Sequence, residues 1–235
     1  MIENFIEAVK LIFGENPELR QIIGVTLQMS FFSTFFSSLI GIPCGLMLGS
    51  GNFKGRGILL RLTGTFMGLP PVVAGLIVFM FLSRSGPLGS LRLLYTVTAM
   101  VIAQVLLITP IIAGLSAAVV STPAPRIKET TAGLGFTPFK QKLYMLYECK
   151  GALLSVALSG FGRAIAEVGA VQIVGGNIQY KTRVMTTAIM LETNMGNFSF
   201  AVALGIVLLI IAFFVNITAR RLEEGFKSKR IKSKS

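Results

Sequence analysis

Five long apolar runs separated by short polar turns dominate the chain, at about 22–48, 58–82, 93–120, 151–175 and 198–218. Each reaches the roughly 20 residues that an α-helix needs to cross a bilayer. The pattern predicts an all-α, polytopic integral membrane protein with five transmembrane helices in one domain covering 1–235. One polar interval stands out, RIKETTAGLGFTPFKQKLYMLYE at 126–148, between the third and fourth runs. A loop this long and this patterned has a partner to touch.

Before the first run, Ile2, Phe5, Ile6, Val9 and Phe13 recur at helical spacing opposite Glu3, Glu7 and Lys10. They predict either a short interfacial helix or a frayed amphipathic start, ended by Asn16-Pro17. Glu3 and Glu7 stand where a cleavable signal would be basic, so no such signal is expected. Within the first run Ser33, Ser37, Gly41, Gly45 and Gly49 repeat every four residues, a small-residue face for close helix packing in lipid. Pro70 and Pro71 interrupt the second run and must kink or unwind it, either for packing or to line a pathway. Gln104, in the third run, either bonds across to another helix or faces a pore. In the fourth run Arg163 and Glu167 are four apart and can pair on one helix face. Each alone costs roughly 2.5–3.5 kcal/mol near a bilayer centre, so the pair should face the bundle interior or water. Gly151, Ser155 and Ser159 continue the same stripe.

Composition narrows the chemistry. With 53% hydrophobic and 14% charged residues, no histidine and no aspartate, most metal-site and acid–base chemistry is excluded; no metal ligands are expected. Cys44 and Cys149 read as small packing residues. The net charge of +12 sits at the ends of the apolar runs and does not signal nucleic acid. Segments 50–61, 126–150 and 220–235 hold 15 of the 22 Lys and Arg residues; the N-terminus, 84–92 and 176–196 hold six. Positive residues stay inside, which puts the N-terminus out, the C-terminus in, and 123–148 on the cytoplasmic side. The basic tail from Arg220 reads as a topology anchor.

Within the cytoplasmic loop Thr122-Pro123 and Pro125 favour a helix start, with Glu129 early in it where the helix dipole favours a carboxylate. Gly135 suits a left-handed stop, and Thr137-Pro138 reads as the cap and first turn of a second helix. Phe139, Leu143 and Leu146 would form the apolar face of that second helix, and Phe136 would project at the elbow. An aromatic so placed is a knob for a groove in another protein, or a side chain dipped into lipid.

Glu129-Thr130-Thr131-Ala132-Gly133 followed by Gly135 resembles the Glu-Ala-Ala-x-x-x-Gly loop of membrane subunits of ATP-binding-cassette importers. Gly68-Leu69-Pro70-Pro71-Val72-Val73-Ala74-Gly75, the Ser85-Gly86-Pro87-Leu88-Gly89 turn and Gly160 to Asn177, which holds GRAIAEVGAVQIVGGN, resemble the molybdate/tungstate group of these permeases. The last stretch, with Thr182 to Ile189 and Leu191-Glu192-Thr193, is most similar to the tungstate-specific subunit. Two departures are Thr130-Thr131 for the usual alanines, and Glu148 where many relatives have proline.

The resemblance implies the MetI-like permease fold and a non-catalytic subunit in the cytoplasmic (inner) membrane. It would import an oxyanion, tungstate first, then molybdate or sulfate, by alternating access. A second copy of the chain, a cytoplasmic ATPase dimer gripping Glu129–Phe136 and an extracytoplasmic binding protein are the implied partners. The chain carries no GxxxxGK[ST] sequence, so ATP and Mg would sit on the ATPase and no cofactor on this chain. Arg163, Glu167, Gly169, Pro70, Pro71 and Gln104 become pathway candidates, with Arg163–Glu167 alternatively a permanent structural pair. Gly176, Asn177, Lys181 and Arg183 become candidates for docking the binding protein, on what is otherwise a plain outer loop. An ion-coupled secondary transporter using Glu167 remains the alternative.

Overall fold

A computed structural model describes residues 2–14 and 16–232, with side chains at 5–12, 14 and 16–222. Ten α-helices appear among the described residues: α1 (Ile2–Phe13), α2 (Pro17–Ser50), α3 (Arg56–Met67), α4 (Pro71–Leu82), α5 (Val97–Ser121), α6 (Ala124–Gly133), α7 (Pro138–Ile165), α8 (Gly169–Gly175), α9 (Met185–Asn194) and α10 (Phe198–Lys232). A short 3-10 turn, Gly89–Leu91, lies between α4 and α5. Helices α2, α5 and α10 are each long and apolar enough to cross a membrane. Counting the bent pairs α3–α4 and α7–α8 as one span each gives five, compatible with the hydropathy reading.

Local chemistry sets the starts and breaks. Asn16 accepts hydrogen bonds from the backbone N–H groups of Glu18 (3.0 Å) and Leu19 (3.1 Å), and Pro17 fills the first helical position, so the residues that end α1 also begin α2. At 68–70 the chain bends by 97° between α3 and α4; Pro71 then opens α4 at its first turn. The two prolines therefore break the helix outright instead of kinking it. The fourth span departs from expectation twice. Its helix begins at Pro138 and runs without interruption through Glu148 to Ile165, so the second helix of the polar loop and the span are one element. It then stops at 166–168, and α8 leaves at 59°.

The chain forms two compact units. The first holds residues 1–33, 70–106 and 161–214. Its core packs Ala8 of α1, Leu19 and Ile22 of α2, Met185 and Ala188 of α9, and Phe200, Ala203 and Leu204 of α10. Helix α1 thus docks through Ala8, Leu11 and Ile12, while Phe5 and Ile6 from the predicted apolar face stay exposed. The side chains of Ile2 and Phe13 lie outside the described residues, as does most of the basic tail.

The second unit holds residues 34–69, 107–160 and 215–235. Here Gly41, Gly45 and Gly49 lie against the backbone of α5. A Cβ at Gly45 would meet the Ala113 carbonyl oxygen at 2.6 Å, and one at Gly49 the Ala117 oxygen at 2.6 Å. This face is structural packing between two helices whose backbones nearly touch. A second cluster joins Leu46, Val120, Ala124, Ile127, Met145, Cys149 and Leu153, which fixes α6 onto α2, α5 and α7. Cys149 is part of that core, Cys44 is exposed, and neither forms a disulfide.

Candidate functional site

The elbow between α6 and α7 is built by glycine geometry. Gly135 has φ 71°, and a Cβ added there would meet nothing within 4 Å, so the left-handed backbone alone calls for glycine. The Gly135 N–H donates to the Ala132 carbonyl (2.9 Å) and the Phe136 N–H to the Thr131 carbonyl (2.9 Å). That pair of bonds is the Schellman stop, which satisfies the last carbonyls of α6. The Thr137 side chain then accepts from the Lys140 N–H at 3.4 Å, and α7 begins. The inner face of α6 is Ala124, Ile127 and Thr131, all buried; its outer face presents Glu129, Thr130, Ala132 and Gly133 to solvent. Lys128 anchors the helix by donating to the Ser50 carbonyl at the end of α2, and Arg56 donates to the Leu48 carbonyl at 2.7 Å. Neither anchor was singled out from the sequence; for Arg56 a basic residue close after a helix C-terminus is the signal, whereas Lys128 is 78 residues from Ser50 and carries no local one.

One expectation at the elbow needs correcting. Phe136 does not project. It is half-buried and meets the Tyr144 ring edge-on at 6.2 Å, well into α7, because the Schellman turn folds it back over that helix. The exposed apolar side chains are Leu134 (66%) and Phe139 (77%). Phe139, Leu143 and Leu146 do share one face, which lines a groove with α2, while Met145, Cys149 and Leu153 pack into the core. The predicted apolar face exists but stays uncovered.

Four of the six pathway candidates, Arg163, Glu167, Gly169 and Pro71, meet around the break at 166–168, within the first unit; Gln104 ties in through α7, and Pro70 directly precedes Pro71. Glu167 lies past the end of α7, so its pairing with Arg163 does not follow from a shared helix face. The chain turns after Ile165, and the two side chains still meet at 3.1 Å. One carboxylate oxygen of Glu167 takes that contact; the other accepts from the N–H groups of Val168 (3.1 Å) and Ala170 (3.3 Å) at the start of α8. Thr186 of α9 donates to the Glu167 backbone carbonyl at 2.8 Å. Glu167 is 4% exposed, whereas Arg163 is 42% exposed. With Ser159 and Arg163 exposed and Ser155 half-buried, the polar stripe of α7 remains open in the single chain. A Cβ at Gly169 would lie 2.9 Å from the Val72 side chain and 3.5 Å from Pro71, so the start of α8 touches the proline break after Pro70. Gly75 of α4 packs as closely on Ala170. Gln104 is fully buried; it accepts from Ser33 at 2.6 Å and donates to the Ala164 carbonyl at 2.8 Å. Of the two roles open to it in the sequence, this is the cross-helix bond, and it holds the end of α7 just before the break.

The outer-loop candidates separate. Gly176 (φ 68°) ends α8, and Asn177 (φ 51°) accepts from the Thr187 hydroxyl at 2.9 Å. Arg183 is bound internally, to Glu18 at 2.9 Å, and Gln179 donates to the same carboxylate. Lys181 is exposed. Of the two basic residues expected to greet a partner, Lys181 is open and Arg183 is committed.

Comparison with known proteins matches residues 41–228 to the family of binding-protein-dependent transport system inner membrane components. A tungstate uptake system permease protein TupB of Peptoclostridium acidaminophilum is 38% identical over 222 residues, covering 94% of this chain and 97% of that protein. The protein of the same name from Campylobacter jejuni is 37% identical, covering 95% and 93%. Among solved structures, an inward-facing form of the MetNI methionine ABC transporter is similar in fold, with TM-score 0.69 and 17% identity over 89% of this chain and 96% of that one. The exposed glycine elbow, the two broken spans and this match over most of the chain lead to one assignment: the chain belongs to the family of binding-protein-dependent transport system inner membrane components, with the MetI-like permease fold.

Proposed function

We propose that the chain is the transmembrane subunit of an ATP-driven importer that carries tungstate into the cytoplasm. The likeness to tungstate uptake permeases along nearly its whole length is the observation that carries this reading. Two copies form the pathway. Two ATPase subunits on the cytoplasmic side hold the α6 elbow and hydrolyse ATP, and an outer binding protein delivers the anion.

The elbow has the build this task needs. Its outer face is polar and open, with Glu129 available to a cationic groove, while its inner face is locked by Ile127, Thr131 and Lys128. A force on Glu129–Gly133 therefore passes into α2 and α7 without melting α6. Helix α7 continues unbroken toward the segment that carries Arg163. At the pathway end Arg163 offers the anion a guanidinium whose charge Glu167 partly neutralises, which keeps residence short. Molybdate and sulfate share charge and shape with tungstate and stand as weaker substrates.

The test is uptake of tungstate into proteoliposomes containing the chain, its ATPase and the binding protein. Uptake should need ATP and fall to background with Glu129→Arg, while the variant keeps its melting temperature. Uptake that continues without ATP and follows a proton gradient would overturn the importer reading.

A further inference from the structure

A cavity of about 1040 Å³ lies outside the region described above, where the end of α4 meets the loop that leads to α5. Phe79, Leu82 and Ser83 form one wall; Ser90, Arg84 and Arg92 contribute the polar groups. We infer that this cavity is a weak binding site for a dianionic tetrahedral oxyanion, held between the guanidinium groups of Arg84 and Arg92. The identity of the ion rests on the importer reading.

Charge makes the first argument. No acidic residue occurs anywhere between Glu18 and Glu129, so the segment that builds the cavity has none. The acidic side chains that the rest of this unit supplies among the described residues are already engaged: Glu7 by Ser199, Glu18 by Arg183 and Gln179, Glu167 by Arg163, Glu192 by Asn197. Arg84 and Arg92 are both exposed into the cavity and form no ion pair among the described residues. Two unpaired guanidiniums beside two serine hydroxyls supply planar, multi-donor recognition suited to an oxyanion.

Backbone geometry makes the second. Arg92 and Tyr95 both have left-handed backbone, φ 50° and 62°, which costs a residue with a Cβ of order 1 kcal/mol each. The Arg92 N–H donates to the Gly89 carbonyl, and the Tyr95 N–H to the Val174 carbonyl of α8 at 3.0 Å. A Cβ at Gly176 would collide with the Tyr95 ring at 2.7 Å, so the glycine lets that ring pack against the end of α8. The cavity wall is thus bonded to the far end of α8, the helix whose first N–H groups donate to Glu167.

Position decides the strength. Helix α4 ends at this cavity, and a helix C-terminus carries partial negative charge that disfavours an anion. The arginines must act against that end, in reach of water and salt, so binding is weak and release is easy. Such a site suits an ion in transit.

The experiment uses the transporter assembled with its ATPase, in detergent and without the binding protein. It is dialysed against sodium tungstate, and retained tungsten is counted by elemental mass spectrometry. Wild type should bind tungstate weakly, Arg84→Gln with Arg92→Gln at least about tenfold more weakly, and Arg84→Lys with Arg92→Lys in between. Stimulation of ATP hydrolysis by the binding protein should persist in the glutamine variant, showing that it folds and assembles. Equal tungstate retention by wild type and the glutamine variant overturns the site. So does unchanged retention with lost stimulation, which would make this surface a contact for the binding protein. Retained tungstate binding with no ATP-driven uptake by wild type would sink the importer reading and leave the anion site standing.

Discussion

Glu167 holds three contacts with one carboxylate: Arg163, and the N–H groups of Val168 and Ala170. Because it is buried and Arg163 is partly exposed, the two should respond unequally to neutralisation. Glu167→Gln keeps one acceptor for the α8 start but leaves Arg163 unpaired. Arg163→Gln leaves Glu167 its two backbone donors. Glutamine at 163 should therefore cost about 1–3 kcal/mol, because it leaves a buried carboxylate without its countercharge, and glutamine at 167 less, because the freed Arg163 reaches water, read as melting temperature in detergent. The double variant should be less destabilised than the sum of the two, since the interaction is removed once. Equal and additive losses would mean that the pair contributes nothing to the break. The sequence showed that these residues were close, but for the wrong reason. Four-residue spacing suggested a helix face, whereas the contact forms across a turn that Glu167-Val168-Gly169 encodes without a proline. Glycine shows the same contrast between position and space. Gly45→Leu puts side-chain atoms into the Ala113 backbone and the Ser116 side chain, and should destabilise by about 1–3 kcal/mol or prevent folding. Gly135→Ala meets no atom and should cost only about 1 kcal/mol, the strain of a left-handed alanine. Thermal melts of the two variants side by side check the difference.

Among the helices, hydropathy located every long apolar run but not every boundary. Pro70-Pro71 announced the α3–α4 break, since proline removes a donor wherever it stands. Nothing comparable marked 166–168. Nor could periodicity say whether Phe139, Leu143 and Leu146 are covered by this chain, because an apolar stripe records only that something apolar lies against it. In the structure they face, with Phe35, Leu39 and Met47 of α2, an open groove, and α7 instead buries Met145, Cys149 and Leu153. The continuity of α7 through Glu148 yields a sharp expectation. The loop that this one resembles ends on proline where Glu148 stands, yet here the helix needs the Glu148 N–H for its own ladder. Glu148→Pro should cost about 3 kcal/mol and lower the melting temperature of the chain. An unchanged melt would show that α7 already yields there, and that its first part and the span move as separate pieces.

At the scale of the whole molecule, sidedness is the property on which every functional statement depends, and it rests on where lysine and arginine fall. The cytoplasmic assignment of α6 and the outer assignment of 176–196 come from one counting rule, so a single experiment tests both. Lys181 and Phe139 are exposed, on opposite sides if the rule holds. In a chain whose Cys44 and Cys149 are replaced by alanine, Lys181→Cys should react with a membrane-impermeant maleimide added to intact cells. Phe139→Cys should react only after the membrane is opened, as mass-shifted bands on a gel would show. Labelling of Phe139→Cys in intact cells would reverse the topology. It would remove the elbow from the reach of ATP and move the Arg84–Arg92 cavity to the exit side. The outcome expected from 15 basic residues on one side against six on the other keeps both ends of the path where import requires them: an anion-attracting entrance outside, and a glycine-jointed handle inside.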